Sequence, residues 1–140
     1  MKYRIYGVKN ATFRKEMRNA LQYFEQQLCL FDFEQVIVKV IVTNKIDVYG
    51  YCSIESYDDQ DNVCELVMEV QTGQSNDEII HTLAHEMVHI RQYVRGHLNE
   101  DMTRWKGKEI DSESIDYDDH PWEIEAEKLG DVLYELWDKL

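Results

Sequence analysis

No stretch narrows the possible folds of this chain more than His85-Glu86-Met87-Val88-His89, set inside a strongly periodic segment, residues 76 to 95. On a helix, side chains four apart lie one above the other on the same face. The two imidazoles can then take one metal ion in a tetrahedral site. Glu86 follows the first histidine, so its carboxylate projects beside the ion rather than onto it. There it can take a proton from a water that the metal activates. This chemistry needs a firmly held helix and a second element packed on it.

The sequence supplies both ends of that helix. Ser75 and Glu78 have the spacing of a capping box, and Gly96 is a natural stop. Ile79, Ile80, Leu83, Met87, Val88, Ile90 and Val94 form a broad apolar surface between them. Upstream, residues 2 to 8 alternate as a strand does. Asn10 or Thr12 then caps a helix to about residue 29, with Phe13, Met17, Ala20, Leu21, Phe24 and Leu28 on its core face. Residues 34 to 43 are dense in β-branched side chains and read as a mostly buried strand.

Residues 47 to 56 and 62 to 71 read as an antiparallel hairpin about a polar turn. Gly50 marks a bulge or the close approach of another backbone. Residues 97 to 119 lose periodicity, apart from the conspicuous Trp105-Lys106-Gly107. Their acidic cluster, Asp111, Glu113, Asp116, Asp118 and Asp119, lacks the spacing of an EF-hand loop. Pro121 opens a last helix to about residue 139, with Trp122, Ala126, Leu129, Leu133, Leu136, Trp137 and Leu140 as its core stripe. The expected class is α+β. A first helix packs on a small mixed or antiparallel sheet, followed by the motif helix and a C-terminal glutamate-bearing helix, in one domain of residues 1 to 140.

Composition excludes several functions. A net charge of −13 argues against nucleic acid or an anionic membrane surface as partner, and suits a basic substrate or partner. No apolar run is long enough to span a bilayer, and the first seven residues lack the apolar core of a secretory leader. Three cysteines, Cys29, Cys52 and Cys64, without C-x-x-C spacing suit reduced thiols in a cytoplasmic compartment.

Catalytic zinc has three protein ligands and one open position. The metzincin spacing fails, because Gln92 and Arg95 stand where it requires Gly and His. His81 and His97 lie along the same helix and cannot surround the ion. His120 sits at the start of the last helix and could reach in. Glu123, Glu125 and Glu127 are the stronger group. Periodicity alone does not choose among them, but Ala126 and Gly130 fall on the Glu123 side, and small residues admit a close helix. Glu123 is therefore the expected third ligand. Glu127, one turn on, is placed to hydrogen-bond a ligand histidine.

His85, Glu86 and His89, with Glu123, Ala126 and Glu127 downstream, resemble the gluzincin clan of zinc metallopeptidases. The short length and preceding strands look most like the minigluzincins and the ImmA/IrrE-type peptidases. The resemblance covers the two motif helices and, loosely, the sheet and first helix. It implies a zincin-like fold with His85, His89 and Glu123 as zinc ligands, Glu86 as general base and acid, and Glu127 as an orienting group. It also implies an edge strand, here about residues 48 to 55, that holds extended substrate. A departure is Glu127, where the family more often has Asp or Asn. Tyr117 and His120 are the candidates for the residue that steadies the oxyanion. The expected activity is zinc-dependent hydrolysis of peptide bonds by a monomer acting on a protein or peptide. The alternative is a zincin-like domain, weakly active or inactive, that binds metal or another protein.

Overall fold

Apolar–polar alternation decides which face of the sheet is covered. The computed structural model describes all 140 residues. Strands β1 (Lys2–Tyr6), β2 (Ile37–Thr43), β3 (Gly50–Tyr57) and β4 (Val63–Gln71) form one sheet in the order β1-β2-β4-β3. β1, β2 and β4 run parallel, and β3 is antiparallel to β4 at the edge, so the sheet is mixed. β2 buries Val38, Val40 and Val42, while Ile37, Lys39 and Ile41 are only half covered. The β-branched density of this stretch suggested burial on both faces. Only one is buried; on the other, Lys39 pairs with Glu55 at 3.0 Å. The strand begins at Ile37 rather than residue 34 because Phe31–Phe33 is a 3-10 turn, to which Val36 N–H donates.

Helix α1 (Ala11–Gln27) connects the parallel pair β1 and β2. Of its two possible caps, Asn10 is the one used, its side chain accepting from Phe13 N–H at 3.0 Å. Helix α2 (Asn76–Val94) carries the motif. Both halves of its capping box form, with Ser75 Oγ accepting from Glu78 N–H at 3.1 Å. Helix α3 (Pro121–Asp138) opens on proline as expected and packs along α2, but Leu136 and Leu140 of its expected stripe are exposed, Leu140 lying beyond the helix end. α1, α2 and the inner face of the sheet enclose a core cluster of 28 buried residues, with Met17, Phe24, Leu66, Met68, Ile80 and Trp122 among its largest.

The aperiodic segment before α3 is not featureless. Strands β5 (Arg104–Trp105) and β6 (Lys108–Glu109) form a tight hairpin. Its two turn residues, Lys106 and Gly107, have φ of 49° and 84°, as a turn with both central residues left-handed requires. The conspicuous Trp105-Lys106-Gly107 is therefore a strand end and turn. Trp105 packs on Trp122 of α3, ring centroids 6.2 Å apart. None of the helices is long and apolar enough to cross a membrane.

Candidate metal centre

α2 presents His85 and His89 on one face, with ring centroids 5.0 Å apart. Ligand atoms of His85, Glu86 and His89 all lie within 4.8 Å of one another, a cluster able to hold a metal ion. α3 brings a further carboxylate to the same point. Nε2 of each histidine lies 3.2 Å from Glu123 Oε1, and His89 Nε2 is also 3.0 Å from Glu123 Oε2. Glu123 sits in the first turn of α3, yet it is buried against α2 rather than solvated.

Two glycines make the approach possible. A Cβ on Gly130 would lie 3.0 Å from His85 Cα, so a larger residue there would push α3 and the motif helix apart by a few tenths of an ångström. A Cβ on Gly50 would lie 2.6 Å from Thr82 Cγ2 and 3.0 Å from Glu86 Oε1. Gly50 thus marks a close approach, to α2 side chains; the irregularity of β3 falls near Ser56 instead.

His89 has a fixed tautomer. Its Nδ1 faces Gln92 Oε1 at 2.7 Å. Gln92 Nε2 donates to the Trp122 carbonyl at 3.0 Å and to Glu125 Oε1 at 3.2 Å, which sets the amide's orientation and leaves Oε1 as an acceptor. His89 Nδ1 must therefore carry hydrogen. In a neutral ring Nε2 is then a lone pair, and it points at a carboxylate 3.0 Å away. Two acceptors at that distance require a proton or a cation between them. In the protein without metal a proton takes that place. Burial by itself would lower the His89 pKa, but the hydrogen bond to Glu123 and the charges of Glu86 and Glu123 outweigh it and lift it to about 9. Burial would raise Glu123, yet His85 and His89 hold it well below the usual carboxylate range.

The same residues fit a metal. A tetrahedral ion with bonds of about 2.0–2.1 Å has ligand–ligand edges of about 3.3–3.4 Å. The histidine-to-glutamate separations of 3.0–3.2 Å are close to that edge. Glu86 is the remaining member. It is 4% exposed, and its Oε2 is buried without any hydrogen-bond partner. Burial raises its pKa, the two histidines oppose this, and the net shift is upward. A buried carboxylate with a free acceptor and raised basicity suits proton transfer.

The other sequence candidates lie as follows. Tyr117 stands on the wall of the cleft that exposes His85, Glu86 and Glu123. Burial and the Glu123 charge push its hydroxyl pKa up, so it stays a donor at neutral pH. Glu127 lines the same cleft, exposed, and hydrogen-bonds neither histidine. His120 packs its ring on Trp122 and turns Nε2 to the Ser112 carbonyl at 2.8 Å. His81 pairs with Asp131 at 2.7 Å, and His97 packs against Trp105. Glu125 stays apart from the histidines, bound to Arg91 and Gln92. Gln92 was missed as an orienting group. Its signal was available, a lone amide three residues after His89 on a helix otherwise buried on that side.

No known protein family, no characterised protein and no solved structure matches the chain.

Proposed function

We propose that this chain is a zinc-dependent metallopeptidase of the gluzincin type, cleaving peptide bonds with Glu86 as general base. The observation that carries the reading is the convergence of His85, His89 and Glu123 beside an unsatisfied, buried Glu86. His85, His89 and Glu123 would hold the ion. A bound zinc ion would supply Lewis acidity, polarising a carbonyl and lowering the pKa of a water towards ~7.

The chain's own groups do the rest. Glu86 takes a proton from the attacking water on its free oxygen and returns it to the leaving amine. Gln92 holds the His89 ring in the tautomer that aims Nε2 at the site. Tyr117, a donor on the cleft wall, steadies charge developing on the scissile carbonyl oxygen. β3 is an antiparallel edge strand whose first residue, Gly50, touches Glu86, so an extended peptide added to that edge would pass the base. Support for catalysis over a closed structural site comes from His120, which faces Ser112 and leaves three ligands and an open position. A monomer in the cytoplasm acting on a protein or peptide completes the reading.

Metal analysis of purified protein tests it. The parent should hold one zinc per chain and His89→Ala none, while Glu86→Gln should keep zinc and lose peptide hydrolysis. A parent without stoichiometric metal, or a Glu86→Gln variant that cleaves as fast as the parent, overturns the proposal.

A further inference from the structure

The cleft that exposes the centre has a volume of about 870 Å3 and a one-sided charge. Asp47, Glu78, Asp118 and Glu127 line it with Glu86 and Glu123, and no lysine or arginine does. None of those first four forms an ion pair with a base of the chain. A divalent ion at the centre would offset Glu86 and Glu123, and Glu78 caps the start of α2, which leaves Asp47, Asp118 and Glu127 without a cationic partner. Two exposed aromatic rings line the same cleft. Tyr49, 70% exposed, stands two residues after Asp47, and Tyr117, 64% exposed, precedes Asp118. Besides these rings Val48 is the one apolar residue on the lining.

We propose that this cleft selects a basic polypeptide segment, one carrying Lys or Arg on the residues that flank the bond at the metal centre. The inference rests on the peptidase reading and names its substrate class. Carboxylates on a concave wall focus their field and concentrate cations there. An ammonium or guanidinium group can pair with an acid and lie over a tyrosine face in one move. An acidic segment meets only like charge and is rejected. Glu86, which lines the cleft, keeps its Oε2 buried and without a partner, an acceptor that the chain itself leaves free.

The test is binding, read by fluorescence anisotropy on metal-loaded Glu86→Gln protein and on the metal-free parent. Three labelled nonapeptides carry Lys, Gln or Glu at the same four positions. Each part-exposed ion pair contributes a factor of about 1.5 to 5, so with four such positions the Lys peptide should bind at least about fivefold tighter than the Gln peptide. The Glu peptide should bind weakest. Asp118→Asn with Glu127→Gln should remove much of the preference. Asp32→Asn with Glu34→Gln, exposed acids outside the cleft, should leave it unchanged.

Equal affinity for the three peptides overturns the proposal. So does an equal loss in the Asp32/Glu34 variant, which would trace the preference to net charge alone. A second stoichiometric zinc ion dependent on Asp118 and Glu127 overturns it too, by giving the acids another occupant. Hydrolysis plays no part in this readout. A parent that binds selectively but cleaves nothing therefore counts against the peptidase reading alone.

Discussion

Gln92 Oε1 lies 2.7 Å from His89 Nδ1, and Gln92 is fully buried between α2 and the first turn of α3. The contact orients the ring and decides which nitrogen faces Glu123. Groups in this position typically govern metal affinity by about 10- to 100-fold. Gln92→Met, which keeps bulk but loses the acceptor, should weaken zinc binding by that range. Competition titration against a chromophoric chelator measures it, with circular dichroism to verify folding. Unchanged affinity would show that the tautomer is set elsewhere.

The two carboxylates of the first α3 turns should separate cleanly. Glu123 meets both histidines, whereas Glu125 meets Arg91, Gln92 and Lys106. Glu123→Ala should abolish stoichiometric metal. Glu125→Ala should retain it, with affinity lowered only as far as Gln92 loosens. Equal zinc content in the two variants would sink the ligand assignment.

Gly130→Ala sets two effects against each other. Alanine in a helix interior gains about 1 kcal/mol over glycine. Overpacking against a neighbour costs about 1–3 kcal/mol, and the neighbour here is the backbone at His85, 3.0 Å from the new Cβ. Backbone cannot rotate away, so the second effect should prevail and net destabilisation should reach up to about 2 kcal/mol. Metal affinity should fall as well, because α3 carries Glu123 away from α2. A higher melting temperature with parent-like zinc affinity would mean that the helices have slack.

The metal-free protein should show a characteristic pH response. His89 has a folded pKa raised from 6.5 to about 9, so its contribution is complete below about pH 6.5 and fades as pH rises through about 9. Glu123 is depressed, so its contribution holds above its ordinary value of 4.5 and is lost as pH falls through its lowered pKa. Stability from this pair should therefore be greatest between about pH 4.5 and 6.5. It should decline towards pH 9.5, by at most about 3 kcal/mol. Zinc competes with the His89 proton, so its apparent affinity should rise with pH up to about 9. Denaturant melts and zinc titrations across pH read both trends. A metal-free protein more stable at pH 9.5 than at pH 6 would contradict the pair.

Tyr117→Phe should lower kcat by about 100-fold, with zinc content and KM little changed, the pattern of a donor used only as charge develops. A change in KM alone would make Tyr117 a wall of the cleft rather than a participant.

The motif helix was readable to its ends, because a capping box, an apolar surface and a stopping glycine are local signals and α2 uses all of them. The β3–β4 hairpin was readable for the same reason, although β3 begins at Gly50 and not at residue 47. Less visible were the single buried face of β2 and the small hairpin of β5 and β6. Whether Ile37 and Ile41 are covered depends on where helices lie, which β-branched density does not encode. A two-residue strand is too short for alternation to register, and Lys106-Gly107 is an uncommon choice for a turn of this type.

By itself the sequence determined the three helices and the four main strands, the face of α2 that carries His85 and His89, and the small residues that let α3 come near. Periods of 2 and 3.6 residues and capping chemistry act over a few positions, so they are written in the chain directly. Only the tertiary structure decided the sheet order β1-β2-β4-β3, the meeting of Glu123 with both imidazoles, and Gln92 rather than Glu127 as the partner of His89. It also decided the gathering of Asp47, Glu78, Asp118 and Glu127 around one cleft. Apart from the His89–Gln92 contact, which spans three positions, these relations join residues tens of positions apart. The meeting of Glu123 with the imidazoles depends on how close α2 and α3 pack at Gly130, a distance no local pattern specifies.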